Sequence, residues 1–121
     1  MGIGSIPDAV LNQLHNHKDL GIHTEMFSEG AIALLKSGVV TNNEKHFLNG
    51  KTLTGFVMGS NLLYDYIDDN PMIIFMPANV TNNPRIIGSN KNVVAINSCL
   101  EVDITGQVVA DSVGTYQSCL F

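Results

Sequence analysis

Apolar residues along the chain switch between two periods, and the switches divide it into helices and strands. Ser5-Ile6-Pro7-Asp8 reads as a helix start, with Ser5 as cap, Pro7 in the tolerant first turn and Asp8 near the positive end. Val10, Leu11 and Leu14 then share a face, and the helix is expected to fade near His17. Residues 20–24 (Leu-Gly-Ile-His-Thr) alternate as a short strand. Ser28-Glu29 opens a second helix with Ile32 and Leu35 on one side and Gly38 as its left-handed stop. Residues 39–52 are polar, carry Asn42-Asn43 and Asn49-Gly50, and predict a loop with room for a short hairpin.

Residues 53–58 predict a strand, Gly59 a turn, and Ser60 a cap for a third helix presenting Leu62, Leu63, Tyr66 and Ile67. That helix stops before Pro71. Segments 72–75 and 93–96 have the continuous apolar character of buried strands, and Asn82-Asn83-Pro84 predicts the start of a short helical turn. Residues 100–104 alternate, turn at Thr105-Gly106 and return through 107–110 as a hairpin. This order predicts an α/β fold: an open, mainly parallel sheet with flanking helices and a β-rich C-terminal part.

Composition narrows the choice. The chain is 45% hydrophobic and 14% charged, where about 25% charged is usual. That balance favours a packed core over disorder, and residues 1–121 are read as a single domain. Six Lys and Arg against eleven Asp and Glu leave a net charge of −5 with no basic cluster, which excludes nonspecific nucleic-acid binding. The longest apolar runs, such as Met72-Ile73-Ile74-Phe75-Met76, fall far short of the ~20 residues that span a bilayer. Cys99 and Cys119 have neither zinc nor redox-pair spacing and no leader is evident, so a reducing cytoplasmic setting is expected. The chain opens on a glycine turn and closes on Leu120-Phe121, and is expected to be a piece of a longer protein.

Two places could carry chemistry. In Gly2-Ile3-Gly4-Ser5-Ile6-Pro7 a glycine turn feeds a helix N-terminus, where backbone N–H groups suit an anion or a developing oxyanion. Pro7 stands where a dinucleotide fingerprint needs its third glycine, and a plain tight connection is the alternative. Glu25 follows the strand 20–24 at the rim where open α/β sheets bind ligands, and a carboxylate there can act as base or nucleophile. The alternative is one loop carboxylate among eleven acidic residues; Glu29 reads as a first-turn helix charge. His15, His17, His23 and His46 lack metal-ligand spacing, and the acidic run 64–69 lacks the pattern of a calcium loop. Cys99 and Cys119 read as small buried hydrophobes, and the stretch 79–84 as either turns or a source of amide donors to a pocket.

Five stretches together resemble the acetyl-CoA hydrolase/transferase family, which includes the 4-hydroxybutyrate and succinyl-CoA:acetate CoA-transferases. They are residues 2–10 (Gly-Ile-Gly-Ser-Ile-Pro-Asp-Ala-Val), 20–26 (Leu-Gly-Ile-His-Thr-Glu-Met), 56–60 (Phe-Val-Met-Gly-Ser), 82–84 (Asn-Asn-Pro) and 95–103 (Ala-Ile-Asn-Ser-Cys-Leu-Glu-Val-Asp). The resemblance runs nearly end to end and is strongest to the 4-hydroxybutyrate type. It implies that Glu25 is the catalytic glutamate, that Ile3 and Gly4 belong to the oxyanion-stabilising backbone, and that Asn82 reaches the ligand. It further implies acyl-CoA and a small carboxylic acid as substrates, no permanently bound cofactor, and no metal.

The same resemblance implies two similar α/β domains with the active site between them; the chain is also expected to pair with itself as a homo-oligomer, a dimer, through apolar surface that its missing neighbours would cover. This chain corresponds to the first part of the C-terminal domain. The N-terminal domain, the strand before Gly2 and a glycine-rich CoA-holding segment after Phe121 would lie outside it, so the chain alone is expected to fold without turning over. Hydrolysis of acyl-CoA, or noncatalytic binding of an anion or small molecule, stand as the other readings.

Overall fold

The structure, a computed structural model, describes Gly2 and residues 4–117. Helix α1 spans Ser5–Leu11, followed by a 3-10 turn at Leu14–Asn16, and strand β1 is Met26–Phe27. Then come α2 (Gly30–Lys36), β2 (Thr52–Thr54), β3 (Phe56–Val57), α3 (Asn61–Ile67) and β4 (Ile73–Phe75). Two short helices, α4 (Ala78–Thr81) and α5 (Pro84–Ser89), precede two hairpins, β5–β6 (Glu101–Val102, Val108–Val109) and β7–β8 (Ser112–Val113, Tyr116–Gln117).

The α/β architecture follows from the pairings. β1 runs parallel to β3 with Met26 opposite Phe56, and β2 runs parallel to β4 with Leu53 opposite Ile74. Parallel neighbours need a crossover, and α2 and α3 lie in the connecting segments. Phe27, Ala31, Ile32, Leu63 and Ile73 pack as the core beneath those helices, while Leu11, Leu34, Val39 and Val40 form a second cluster between α1 and α2. Gly38 has φ 77° and ends α2 as expected. The Ser60 hydroxyl accepts the Leu62 N–H at the start of α3, and Asn83 accepts the Arg85 and Ile86 N–H groups at the start of α5.

Several expectations are corrected. Gly4, not Ser5, occupies the cap position of α1 with φ 107°, and Ser5 lies inside the helix. The helix ends at Leu11, and only the 3-10 turn continues toward His17. The expected strand 20–24 survives as isolated parallel bridges, Leu20 to Val40 and His23 to Leu53, because its neighbour is interrupted by the excursion 42–51. Side chains fill that gap: Asn42 Oδ1 accepts the Ile22 N–H at 2.8 Å, and Lys45 Nζ donates to Ile22 O at 2.8 Å. Segment 93–96 is not a buried strand. Val94 is 78% exposed, and the interstrand-type bond there runs from Gly2 N to Ile96 O. Leu62 also faces outward, Cys99 is half-buried, and Cys119 lies outside the described residues. Among the described residues no helix is long and apolar enough to cross a membrane.

Candidate active site

Glu25 sits in a bend between two strand stubs, after the His23 bridge and before β1, opposite a matching bend at Gly55. Its backbone is held tightly. The Glu25 carbonyl accepts N–H bonds from Gly55 (2.8 Å) and Phe56 (3.0 Å) and a hydroxyl bond from fully buried Thr54 (3.2 Å). Gly55 is required by this close approach, since a Cβ there would stand 2.9 Å from that carbonyl oxygen. Gly55→Ala should therefore push the Glu25 backbone aside and cost about 1–3 kcal/mol, the usual toll of overpacking. Gly88→Ala, in α5 with open space around it, should be neutral or stabilise by about 0.5–1 kcal/mol. Thermal melts of the two variants check the pair; equal melting points would count against the close packing at Gly55.

While its backbone is buried in bonds, the Glu25 side chain is exposed and lines a cavity of about 390 Å³. Asn82 Nδ2, at the end of α4, donates to Glu25 Oε2 at 2.6 Å. Among the described residues no Lys or Arg pairs with this carboxylate. Apolar walls come from Met26, Phe56, Ile87 and Val93. A carboxylate with one oxygen held by an amide beside these apolar walls is a group that can serve as base or nucleophile.

His23 and Lys45 line the same cavity. His23 Nε2 donates to Thr81 O at 2.8 Å, and Nδ1 faces Asn90 Nδ2 at 3.5 Å. Asn90 Oδ1 is engaged by the His46 and Phe47 N–H groups, which turns its amide nitrogen toward the ring. With Nε2 donating to Thr81 O, Nδ1 is the ring nitrogen left facing the Asn90 amide. Burial, aided by the positive charge of Lys45, lowers the His23 pKa from its ordinary value. Lys45 is itself buried, with its pKa lowered to about 8 by desolvation, and donates to the carbonyls of Ile22 and Lys51.

The structure thus brings Glu25 and Asn82 into contact. Gly2 lines the cavity with its N–H engaged to Ile96 O; Gly4 is not among the lining residues, and Ile3 lies outside the described residues. Of the asparagine-rich stretch, Asn82 serves the cavity and Asn83 serves as a helix cap. Glu29 stands at the cap of α2 and accepts the Ser60 N–H at 2.5 Å; hydrogen bonding from the Ser60 side chain, and then from its N–H, lowers the Glu29 pKa. Among the described residues no three His, Cys, Asp or Glu side chains gather as a metal site. Sequence reasoning weighed His23 only as a metal ligand, took Thr81 only as part of the stretch 79–84, and did not single out Lys45. His23 carried a usable signal, because it stands two residues before Glu25 and alternate strand positions share a face. Lys45 carried none.

The sequence pattern of the acetyl-CoA hydrolase/transferase C-terminal domain matches residues 59–119, half of the chain. The chain belongs to this family. It is 51% identical over 114 residues to the succinyl-CoA:acetate/propanoyl-CoA:succinate CoA transferase of Fasciola hepatica, covering 94% of this chain and 24% of that protein. It is 48% identical over 117 residues to the 4-hydroxybutyrate coenzyme A transferase of Clostridium kluyveri, covering 97% of this chain and 27% of that one. Among solved structures, RipA from Yersinia pestis superposes with a TM-score of 0.91 at 39% identity over 97% of this chain and 27% of that one. A 4-hydroxybutyrate CoA-transferase from Porphyromonas gingivalis superposes at 0.85 and 48% identity over 88% of this chain and 28% of that one. This member of the family therefore spans about a quarter of the length of its curated relatives.

Proposed function

We propose that the chain supplies the nucleophile of a CoA-transferase that moves CoA from an acyl-CoA to a small carboxylic acid, with CoA as substrate and no resident cofactor. The observation that carries this reading is the exposed Glu25 carboxylate in the cavity, ion-paired to no Lys or Arg among the described residues and held at 2.6 Å by the Asn82 amide. A Glu25 oxygen attacks the thioester carbonyl, the C–S bond breaks, and CoA leaves as thiolate with an acyl–glutamyl anhydride behind it. The thiolate then attacks the glutamyl carbonyl, releasing the first acid as carboxylate and leaving a glutamyl–CoA thioester. An acceptor carboxylate repeats the sequence in reverse, and Glu25 returns as a carboxylate.

Negative charge develops on a carbonyl oxygen at each attack. Asn82 Nδ2 is placed beside the side-chain oxygen where the glutamyl oxyanion forms. We assign Ile3 and Gly4 to the corresponding role on the acyl side, since backbone N–H groups of a glycine turn suit it. Donors of this kind are worth roughly 3–4 kcal/mol each. Transfer is favoured over hydrolysis because the relatives named above are transferases by name and the apolar cavity walls disfavour water.

The remaining three quarters of the relatives' length fits the role of a second domain that completes the pocket. Exposed Val102, Ile104, Val108 and Tyr116 on the two hairpins suit contact with that part or, when the chain is alone, with a second copy. We place the reaction in the cytoplasm, whose reducing poise keeps CoA a thiol.

Borohydride tests the covalent step. In the full-length enzyme incubated with acyl-CoA, hydride should reduce the glutamyl–CoA thioester, release the CoA thiol, and convert Glu25 to its alcohol, located by peptide mass spectrometry. An unmodified Glu25 peptide after turnover with acyl-CoA would overturn the reading and favour noncovalent binding.

A further inference from the structure

We propose that Thr81 is a positioning residue that fixes which end of the Asn82 amide faces Glu25; this rests on the CoA-transferase reading above. The two ends of an asparagine amide have nearly the same shape, so sterics alone does not choose between them. The choice matters here. With Nδ2 toward Glu25, Asn82 donates to the oxygen that gains charge; with Oδ1 toward it, two acceptors would meet.

While Glu25 is a carboxylate, its own charge attracts the amide N–H at 2.6 Å. During the reaction that attraction weakens, because Glu25 becomes a neutral acyl group in the anhydride and in the thioester, whose oxygen is a poorer acceptor than a carboxylate. Thr81 then carries more of the choice. Its side chain is 1% exposed, and its hydroxyl donates to Asn82 Oδ1 at 3.1 Å.

Thr81 is itself held by two backbone bonds and lies close to Gly55. Its N–H donates to Pro77 O at 3.1 Å, its carbonyl accepts His23 Nε2 at 2.8 Å, and its Oγ1 lies 3.5 Å from where a Gly55 Cβ would stand. The hydroxyl thus belongs to the same rigid frame as the bend that carries Glu25. Flipping Asn82 would turn Nδ2 toward the Thr81 oxygen, which can accept it, but would leave the buried Thr81 O–H without its acceptor, a loss comparable to about a tenfold change in population or more.

The test compares Thr81→Val with Thr81→Ser in the full-length enzyme. Valine keeps the shape and removes the donor; serine keeps the donor and removes the methyl. Thr81→Val should lower kcat about tenfold to a hundredfold with KM within about twofold, while Thr81→Ser stays within about threefold of the parent. A purely packing role gives the opposite order, with valine benign and serine harmful. Parental kcat in Thr81→Val, or equal loss in both variants, overturns the proposal.

Melting temperatures confirm that the variants are folded; if the valine protein is not, Thr81→Cys, a poor donor of similar size, replaces it with the same expectation. Borohydride trapping in the unmutated enzyme separates the two levels. Loss of trapping there removes the underlying reaction, whereas trapping with an unaffected valine variant removes only the role of Thr81.

Discussion

Replacing Glu25 with glutamine is expected to reduce CoA transfer in the full-length enzyme by about 10⁴-fold or more, the scale seen when a covalent nucleophile is removed from a concerted site. Glutamine is isosteric, so cavity shape, the three bonds to the Glu25 carbonyl and the neighbouring strands all persist. What disappears is the anionic oxygen. Glu25→Asp asks a different question, because it keeps the charge and withdraws it by one methylene. Attack needs reacting atoms about 3–3.5 Å apart, and a misplacement of about 1 Å can cost roughly a hundredfold. The backbone cannot follow the shortened side chain, since Gly55, Phe56 and Thr54 all grip its carbonyl. Glu29→Gln is the control: Glu29 is equally exposed but bonded to the start of α3, and its loss should leave the rate unchanged. Single-turnover assays with acyl-CoA measure all three. Parental rates in Glu25→Gln would assign the chemistry elsewhere.

Glu25 was legible because local signals agree with its position. A short alternating segment, an acidic residue past its end and a following helix put a carboxylate at the rim of an α/β sheet. The same consistency made α2, α3 and the Asn83 cap readable, each marked by a stop or cap residue whose chemistry is local. What escaped depends on long-range contacts. The strand before Glu25 is reduced to bridges because Asn42 and Lys45, some twenty residues away, replace its missing neighbour. A lysine in a polar loop reads as solvated, and nothing nearby in sequence announces that its amine will cap two carbonyls in a buried position. Segment 93–96 failed for the converse reason. Its apolar run predicts burial, yet no element of the described chain covers it. The bond between His23 and Thr81 joins residues 58 positions apart and became visible only in the fold.

Phe27→Ala should be the most damaging of the core substitutions for folding. Strand β1 is covered on both faces: Met26 faces the cavity, and fully buried Phe27 packs with Ala31, Ile32, Leu63 and Ile73 beneath the two crossover helices. Truncating a phenylalanine in such a place costs about 3–5 kcal/mol, from lost transfer energy and the void left behind. A domain of this size has about 5–15 kcal/mol in all, so the variant loses a large share of its stability, and its melting point should fall on the order of 10–20 °C. Val94→Ala provides the contrast. Val94 is 78% exposed, and its truncation should shift stability by no more than about 0.5 kcal/mol. The consequence reaches the site, because Phe27 fixes the strand that begins directly after the Glu25 bend. Partial loosening of β1 would free the Glu25 carbonyl from Gly55 and Phe56 before the whole domain unfolds. Hydrogen exchange at the Gly55 and Phe56 amides should therefore accelerate in Phe27→Ala and stay unchanged in Val94→Ala. A fall of less than about 5 °C in the melting point, with those amides still protected, would show that the strand following the Glu25 bend is not anchored through Phe27.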